Sequence, residues 1–181
     1  MPKSRLLMHV CCGPCATHPL QLLKSSFSIE GFFYNPNIFP DDEFSKRLKT
    51  TQSYFQKQNT LLIVPKQSYT IWHGNLSKYA EEPEGGRRCA ECFRLRLYKT
   101  AEFAASHGYD IFTSTLTVGP NKSAGVIFPI AREIAAIFSV KFLEMDFKKK
   151  DGFKESCRLS KAEEMYRQNY CGCEFSIRRQ S

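Results

Sequence analysis

The chain has 181 residues, of which 42% are hydrophobic and 24% are charged. These proportions predict a globular domain with an ordinary apolar core and exclude an intrinsically disordered chain. The formal net charge of +8 favours a polyanionic partner such as nucleic acid. No apolar stretch approaches the ~18 residues of a membrane-spanning helix, so we expect a cytoplasmic protein without a membrane partner.

The first predicted elements are a strand, a turn and a helix. The apolar run from Arg5 to Val10 predicts a buried strand, which stops at the turn Cys11-Cys12-Gly13-Pro14-Cys15. Thr17 is predicted to cap a helix that carries several leucines. A second buried strand is predicted from Ile29 to Tyr34, and the turn Asn35-Pro36-Asn37 follows it.

Helices and strands alternate through the rest of the chain. In order, the predicted elements are a polar helix (Glu43 to Gln58), a strand (Leu61 to Pro65), a helix (Arg88 to Ser106), a strand (Ile111 to Thr117), a helix (Ala124 to Phe138), a short strand (Lys141 to Glu144) and a short helix with an irregular tail (Lys161 to Ser181). Such alternation is typical of a parallel sheet. We therefore predict one Rossmann-like α/β catalytic domain over residues 1–181, with a cysteine-containing tail at 161–181.

The eight cysteines point to metal binding or redox chemistry, because a cytosolic chain of this size does not need a disulfide framework. Cys11 and Cys12 lie where the first predicted strand ends, which is where ligands bind in an open α/β sheet. Cys15 lies within reach of the same place. The alternative is that these thiols are small buried hydrophobic residues.

A second pair of cysteines opens the helix predicted from Arg88. Cys89 and Cys92 are three residues apart, so both project from one helix face. Together with Cys11 and Cys12 they provide four thiolates, the number that zinc or a [4Fe–4S] cluster requires. A structural zinc clamp is the alternative.

Cys171 and Cys173 are separated only by a glycine. This spacing permits a small, strained disulfide ring with an oxidising potential, which would serve as a two-electron store. The same two thiols could instead complete a metal site or lie in an inert tail. Cys157 stands alone and is predicted to be a packed thiol.

Five blocks of the sequence resemble the cobalamin-independent epoxyqueuosine reductases. They are MHVCCGPC (Met8 to Cys15), GFFYNPNIFP (Gly31 to Pro40), GGRRCAECFRLRL (Gly85 to Leu97), FTSTLTVGPNKS (Phe112 to Ser123) and RLSKAEEMYRQNYCGC (Arg158 to Cys173). The resemblance implies reduction of epoxyqueuosine to queuosine at the wobble position of tRNA, on a fold similar to the adenine-nucleotide alpha-hydrolase branch. It also implies a tRNA partner that carries epoxyqueuosine and an external electron donor.

The resemblance further implies a cofactor. Cys11, Cys12, Cys89 and Cys92 match the cysteines of the family's metal centre, where a [4Fe–4S] cluster and a nearby single metal ion, expected to be iron, are bound. In relatives the position of Cys15 is sometimes Asp, which implies a metal-ligand role there.

Epoxide deoxygenation takes two electrons, whereas one cluster passes one electron at a time, so a second redox element is required. The sequence offers an adjacent iron at Cys11 or Cys15, which would act as a Lewis acid on the epoxide oxygen, or the dithiol of Cys171 and Cys173. Asp41, with Asp42 and Tyr34, is a candidate proton donor or polar contact.

Clusters of basic residues are predicted to follow the RNA backbone. They are Arg87, Arg88, Arg94 and Arg96 around the second cysteine pair, Lys148 to Lys150, and Arg178 with Arg179. Three other functions stay open: a structural-zinc RNA-binding module, a thiol–disulfide oxidoreductase built on Cys89 and Cys92, and an ATP-dependent tRNA sulfurtransferase. The last lacks its Ser-Gly-Gly-x-Asp-Ser phosphate loop here.

Overall fold

The computed structural model of the protein describes residues 2–177. Its strands are β1 (Arg5–His9), β2 (Ser28–Phe32), β3 (Leu62–Ile63), β4 (Ile111–Ser114) and β5 (Lys141–Phe142). Its α-helices are α1 (Gly13–Leu23), α2 (Asp41–Lys57), α3 (Tyr69–Leu76), α4 (Arg87–Ser106), α5 (Ala124–Phe138) and α6 (Gly152–Ala162). All strands run parallel in one sheet, in the order β3-β2-β1-β4-β5. The predicted parallel α/β architecture is confirmed.

The central strand β1 explains how the two faces of the sheet are covered. Leu6, Leu7 and Met8 are all fully buried, as expected for a strand with helices on both sides. Because side chains alternate along a strand, Leu7 joins the apolar cluster under α4 and α5, whereas Leu6 and Met8 join the cluster under α1 and α2. The sheet therefore separates two apolar cores.

Helix α1 begins earlier than the sequence predicts. It starts at Gly13 with Cys12 as the N-cap residue, and Pro14 occupies the first turn, where its missing N–H costs nothing. Thr17 is therefore not a cap: its buried hydroxyl donates to the carbonyl of Pro14 at 2.9 Å. The early start directs the N-terminal end of α1 toward the cysteine turn.

Helix α4 carries the second cysteine pair on a rigid support. Leu97, Ala101 and Ala104 on this helix are fully buried, and α4 packs along α5 through residues such as Ile127 and Ala131. The first two turns of α4 therefore hold Cys89 and Cys92 at a fixed place beside the sheet.

The predicted elements after β5 are wrong in position. The structure has α6 before the predicted start at Lys161, and the helix ends at Ala162 because Glu164 adopts the left-handed conformation, with φ of 50°. From residue 163 to 177 the chain is irregular except for one 3₁₀ turn at Glu174–Ser176. We call residues 163–177 the C-terminal segment. Arg178 and Arg179 lie outside the described residues.

The sequence pattern does not predict helix α3. The strand predicted to reach Thr117 ends at Ser114, and the chain continues as a 3₁₀ turn.

Within residues 2–177, no helix is both long enough and apolar enough to cross a membrane.

Candidate metal and redox site

The cysteines meet at the carboxyl edge of the sheet, where β1 and β4 lie side by side and their connections leave in opposite directions. Ligands of open α/β sheets bind at such a switch point. The turn after β1 contributes Cys11, Cys12 and Cys15, and the 3₁₀ turn after β4 contributes Thr115. The start of α4 and the C-terminal segment complete the site.

Cys11, Cys12 and Cys15 form one group, which we call the turn thiols. Their sulfurs all lie within 4.8 Å of one another, and the Cys11 and Cys12 side chains are buried. The backbone N–H of Cys11 donates to Thr115 Oγ1 at 3.0 Å. The Thr115 hydroxyl in turn donates to Cys11 Sγ at 3.2 Å. Gln168 of the C-terminal segment donates through Nε2 to Cys12 Sγ at 2.9 Å. Distant parts of the chain thus hold these sulfurs together.

The turn thiols share one negative charge. Hydrogen bonds from the Cys12 and Cys15 thiols, with Lys122 and Arg96 nearby, hold the pKa of Cys11 well below its usual value despite burial. The same hydrogen bonding and burial raise the pKa of Cys15 and raise that of Cys12 to about 12. Cys11 is therefore the thiolate of the group.

The other four site cysteines form a second group, the pocket thiols, around a small pocket. They are Cys89, Cys92, Cys171 and Cys173. Asn37, Trp72, Arg96 and Lys122 also line this pocket. Burial raises the pKa of both Cys89 and Cys92. The structure thus places the two α4 cysteines beside the C-terminal pair, and the turn thiols form a separate group.

Cys171 and Cys173 are free thiols whose sulfurs lie 3.6 Å apart. The expected disulfide is therefore not formed, and the pair is present as a dithiol. A hydrogen bond from Cys173, with Lys122 and the Ser176 hydroxyl, lowers the pKa of Cys171 to about 5 although burial opposes this. The pKa of Cys173 is raised because its proton is shared with the Cys171 thiolate and because it is buried.

Two cations that the sequence did not single out for this site line the pocket and also act on Cys11 of the turn thiols. Arg96, expected to face RNA, is only 3% exposed and donates through Nη2 to Asn35 Oδ1 at 2.5 Å. Its Nε is buried without a hydrogen-bond partner in the described part of the chain. Burial lowers the pKa of Lys122, but the negative charges at Cys11 and Cys171 outweigh this and leave the pKa raised. The site is therefore built to hold negative charge.

Arg88 was also expected to face RNA, and the structure buries it: its guanidinium donates to the carbonyl of Ala80 at 2.7 Å and so fastens the loop before α4. No local sequence signal distinguishes a buried arginine from an exposed one on a polar helix, so both errors have the same cause.

The predicted proton donors lie elsewhere. Asp41 is exposed in the first turn of α2 and makes no hydrogen bond to either thiol group within residues 2–177. Asp42 pairs with Lys46 at 2.9 Å, and burial raises the pKa of the half-buried Tyr34. A catalytic role for Asp41 stays a prediction.

The donor set suits a metal–thiolate centre. Buried sulfur ligands select iron–sulfur clusters, zinc or copper(I) over hard cations that prefer oxygen. The negative charge of a thiolate cluster would lie beside Arg96 and Lys122. The residues present therefore fit an iron–sulfur cluster.

Comparison with known proteins agrees with the fold. The chain superposes on the U34-tRNA thiolase NcsA from Methanococcus maripaludis, determined with its [4Fe-4S] cluster, with a TM-score of 0.64 at 11% identity. The match covers 98% of this chain and 63% of the thiolase chain. This likeness confirms the expected Rossmann-like, adenine-nucleotide alpha-hydrolase-like fold.

Sequence relatives identify the family. The protein family described as "Epoxyqueuosine reductase QueH" matches residues 6–179. The epoxyqueuosine reductase QueH of Streptococcus pyogenes serotype M1 is 36% identical, over 98% of this chain and 72% of the relative. The protein of the same name from Thermotoga maritima is 35% identical, over 95% of this chain and 90% of the relative. With this identity along nearly its whole length, the chain belongs to the epoxyqueuosine reductase QueH family.

Proposed function

We propose that this protein reduces epoxyqueuosine to queuosine at the wobble position of tRNA, in the cytoplasm, and that an iron–sulfur cluster takes part. The observation that carries the proposal is the convergence of seven cysteines from three distant segments on one sheet edge, in a chain of this family. Cys11, Cys12, Cys89 and Cys92 would hold a [4Fe–4S] cluster, and Cys15 would contribute to a second metal ion, an iron.

The chemistry sets the number of electrons. Removing the oxygen of an epoxide as water leaves a carbon–carbon double bond and consumes two electrons and two protons. A [4Fe–4S] cluster supplies electrons one at a time when bound. Oxidation of Cys171 and Cys173 to a disulfide releases the two electrons that one epoxide needs. Because Cys171 is a thiolate at neutral pH, it releases only one proton, from Cys173, and the Lys122 ammonium or solvent supplies the second. An external donor then restores the dithiol.

The residues of the pocket supply the remaining requirements. At neutral pH Cys171 is a thiolate, and Cys173 holds a proton beside it. Lys122 keeps an ammonium group in the same pocket. A fixed positive charge in a site shielded from water stabilises negative charge that develops on the epoxide oxygen. The pocket therefore combines a proton, a thiolate and a cation at one place.

The test begins with anaerobic purification and measurement of iron, sulfide and zinc per chain, with absorption spectra before and after dithionite. We expect a brown protein with iron and sulfide near one four-iron cluster, bleached on reduction, and conversion of epoxyqueuosine in tRNA. Zinc without sulfide, in a protein that stays colourless after anaerobic reconstitution, would support the structural-zinc module instead. Activity that survives metal removal would support the thiol–disulfide oxidoreductase.

The same preparation tests the dithiol. After reduction of the cluster, Cys171→Ser and Cys173→Ser should each lose single-turnover product formation. Cys157→Ser is the matched control, because Cys157 lies on α6 outside both thiol groups. Full product formation by both serine variants would exclude the dithiol from the chemistry.

A further inference from the structure

The C-terminal segment is held in place by α2. Its backbone carbonyls at Tyr170 and Cys171 each accept a hydrogen bond from Arg47, through Nη2 and Nη1, both at 3.2 Å. The Arg47 guanidinium also lies 5.0 Å from the Tyr170 ring centre, in cation–π range. Arg47 therefore fixes two consecutive peptide units immediately before Gly172.

Arg47 is itself fixed by a buried partner. Its Nε donates to Glu43 Oε1 at 2.6 Å, and the two side chains are only 2% and 7% exposed. The second oxygen of Glu43 accepts a hydrogen bond from the hydroxyl of Tyr166, also in the C-terminal segment, at 2.6 Å. Burying an ion pair costs desolvation free energy that apolar side chains would avoid. The Glu43–Arg47 pair contacts the C-terminal segment at Tyr166, Tyr170 and Cys171. These three contacts indicate that the pair positions this segment.

Gly172 allows this close approach. Its φ of 115° is unfavourable for residues with a side chain, and a Cβ here would lie 2.9 Å from Arg47 Nη1. The carbonyl of Gly172 also accepts from the backbone N–H of Phe39 at 2.8 Å. The backbone on both sides of the glycine is thus determined, and with it the 3.6 Å separation of the Cys171 and Cys173 sulfurs.

We propose that the Glu43–Arg47 pair is a positioning device that holds Cys171 and Cys173 face to face and so favours their oxidation to a disulfide. The planar fork of arginine reaches both carbonyls at once, which the single ammonium group of lysine cannot do. Oxidation forms one S–S bond and releases two electrons and the one proton that Cys173 holds. The use of this couple in catalysis rests on the proposed function, whereas the dithiol–disulfide equilibrium itself does not.

The test measures that equilibrium in the full-length, anaerobically purified protein. Glutathione disulfide accepts the two electrons and, with one proton from Cys173 and one from solvent, yields two glutathione molecules. Peptide mass spectrometry after alkylation gives the oxidised fraction of the Cys171–Cys173 pair. We expect Arg47→Lys to lower the equilibrium constant for disulfide formation about tenfold, roughly 30 mV for a two-electron couple. Arg158→Lys is the matched control, because Arg158 forms a similar pair with Glu155 on exposed α6.

A second variant keeps the proposal testable if Arg47→Lys does not fold. Glu43→Gln removes the charge but keeps one acceptor oxygen, which can face Arg47 while the amide NH₂ donates to the Tyr166 hydroxyl. We expect a smaller shift in the same direction. Thermal unfolding is measured in parallel. A lower unfolding temperature with an unchanged equilibrium constant would show that the pair only stabilises the fold, and would overturn the proposal.

The outcome is separable from that of the proposed function. A shifted equilibrium in a protein that does not convert epoxyqueuosine would leave the positioning role intact and remove the reductase. If instead the parent protein converts epoxyqueuosine but neither Arg47→Lys nor Glu43→Gln alters the dithiol–disulfide equilibrium, the reductase function stands and the positioning role is overturned.

Discussion

At the scale of single residues, each thiol group divides into one thiolate and protonated neighbours. Cys11 carries the charge among the turn thiols, and Cys171 carries it in the C-terminal pair. In both cases hydrogen bonds from neighbouring thiols contribute most, and the Lys122 ammonium adds to the effect. One lysine therefore acts on two segments that are far apart in sequence.

The lowered pKa of Cys171 predicts unusual reactivity at acidic pH. Because the thiolate is the nucleophile and the pKa is lowered to about 5, alkylation of Cys171 by iodoacetamide should persist below neutral pH and decline only as the pH falls through that value. Lys122→Met should move this midpoint upward, and Lys154→Met on the exposed face of α6 should not. Peptide mass spectrometry gives the rates. A midpoint near the ordinary thiol value of about 8.5 in the parent protein would contradict this assignment.

At the scale of elements, α4 connects the core to the site. One face is buried against the sheet and α5, and the same helix presents Cys89, Cys92 and, one turn later, Arg96 to the pocket. These three positions recur at helical spacing and so lie on neighbouring parts of one face. Packing of α4 therefore determines where half of the proposed cluster ligands stand.

Loss of packing under α4 should destabilise the protein measurably. Leu97 is completely buried, and Leu97→Ala should lower the free energy of unfolding by about 2–5 kcal/mol through lost apolar burial and the cavity that remains. Urea unfolding followed by circular dichroism measures this. The neighbouring exposed Lys99→Ala should change it by less than about 0.5 kcal/mol. Equal urea midpoints for the two variants would show that α4 does not depend on this contact.

Much of the fold was predictable because strands and helices differ in apolar period. β1 contains the buried apolar run Leu6 to Met8, and α5 has a clear apolar face with Ile127, Ile130 and Ile134 buried. Helix α3 has no such pattern, since it buries Trp72 and Leu76 but exposes Ile71. Periodicity therefore could not find it.

The site was only partly predictable for a different reason. Cysteine spacing and the strand end indicated which cysteines gather at this edge of the sheet, but not how they group, because the grouping depends on contacts between distant segments. The contacts of Gln168 with Cys12 and of Arg47 with Cys171 join residues 156 and 124 positions apart. No local sequence pattern encodes such pairs.

At the scale of the whole molecule, the net charge of +8 overstates the basic surface, because Arg47, Arg88 and Arg96 are buried. Exposed lysines that remain near the site include Lys149 and Lys150, in the loop before α6. Lys148 ties this loop to the site, since its ammonium donates to the carbonyl of Lys122 at 2.5 Å. This loop therefore presents exposed positive charge close to the site.

Under the proposed function, tRNA affinity should fall steeply as salt rises, because binding releases counterions from neutralised phosphates. Lys149→Ala should reduce the slope of log affinity against log salt by about one if Lys149 contacts a phosphate. Lys24→Ala is the control, because Lys24 caps the C-terminal end of α1, at the opposite edge of the sheet. Fluorescence anisotropy with labelled tRNA measures both. A flat salt response would count against a tRNA substrate.

The contact between Gln168 and Cys12 also has a consequence for the order of events during synthesis. A ribosome makes residues 11–15 and 89–92 well before residues 166–173, and every strand of the sheet lies ahead of that last stretch. The nascent sheet can therefore form with Cys12 and the pocket still open to solvent. Arrival of the C-terminal segment then covers the turn thiols, so under the proposed function iron and sulfide would enter most easily before that segment docks.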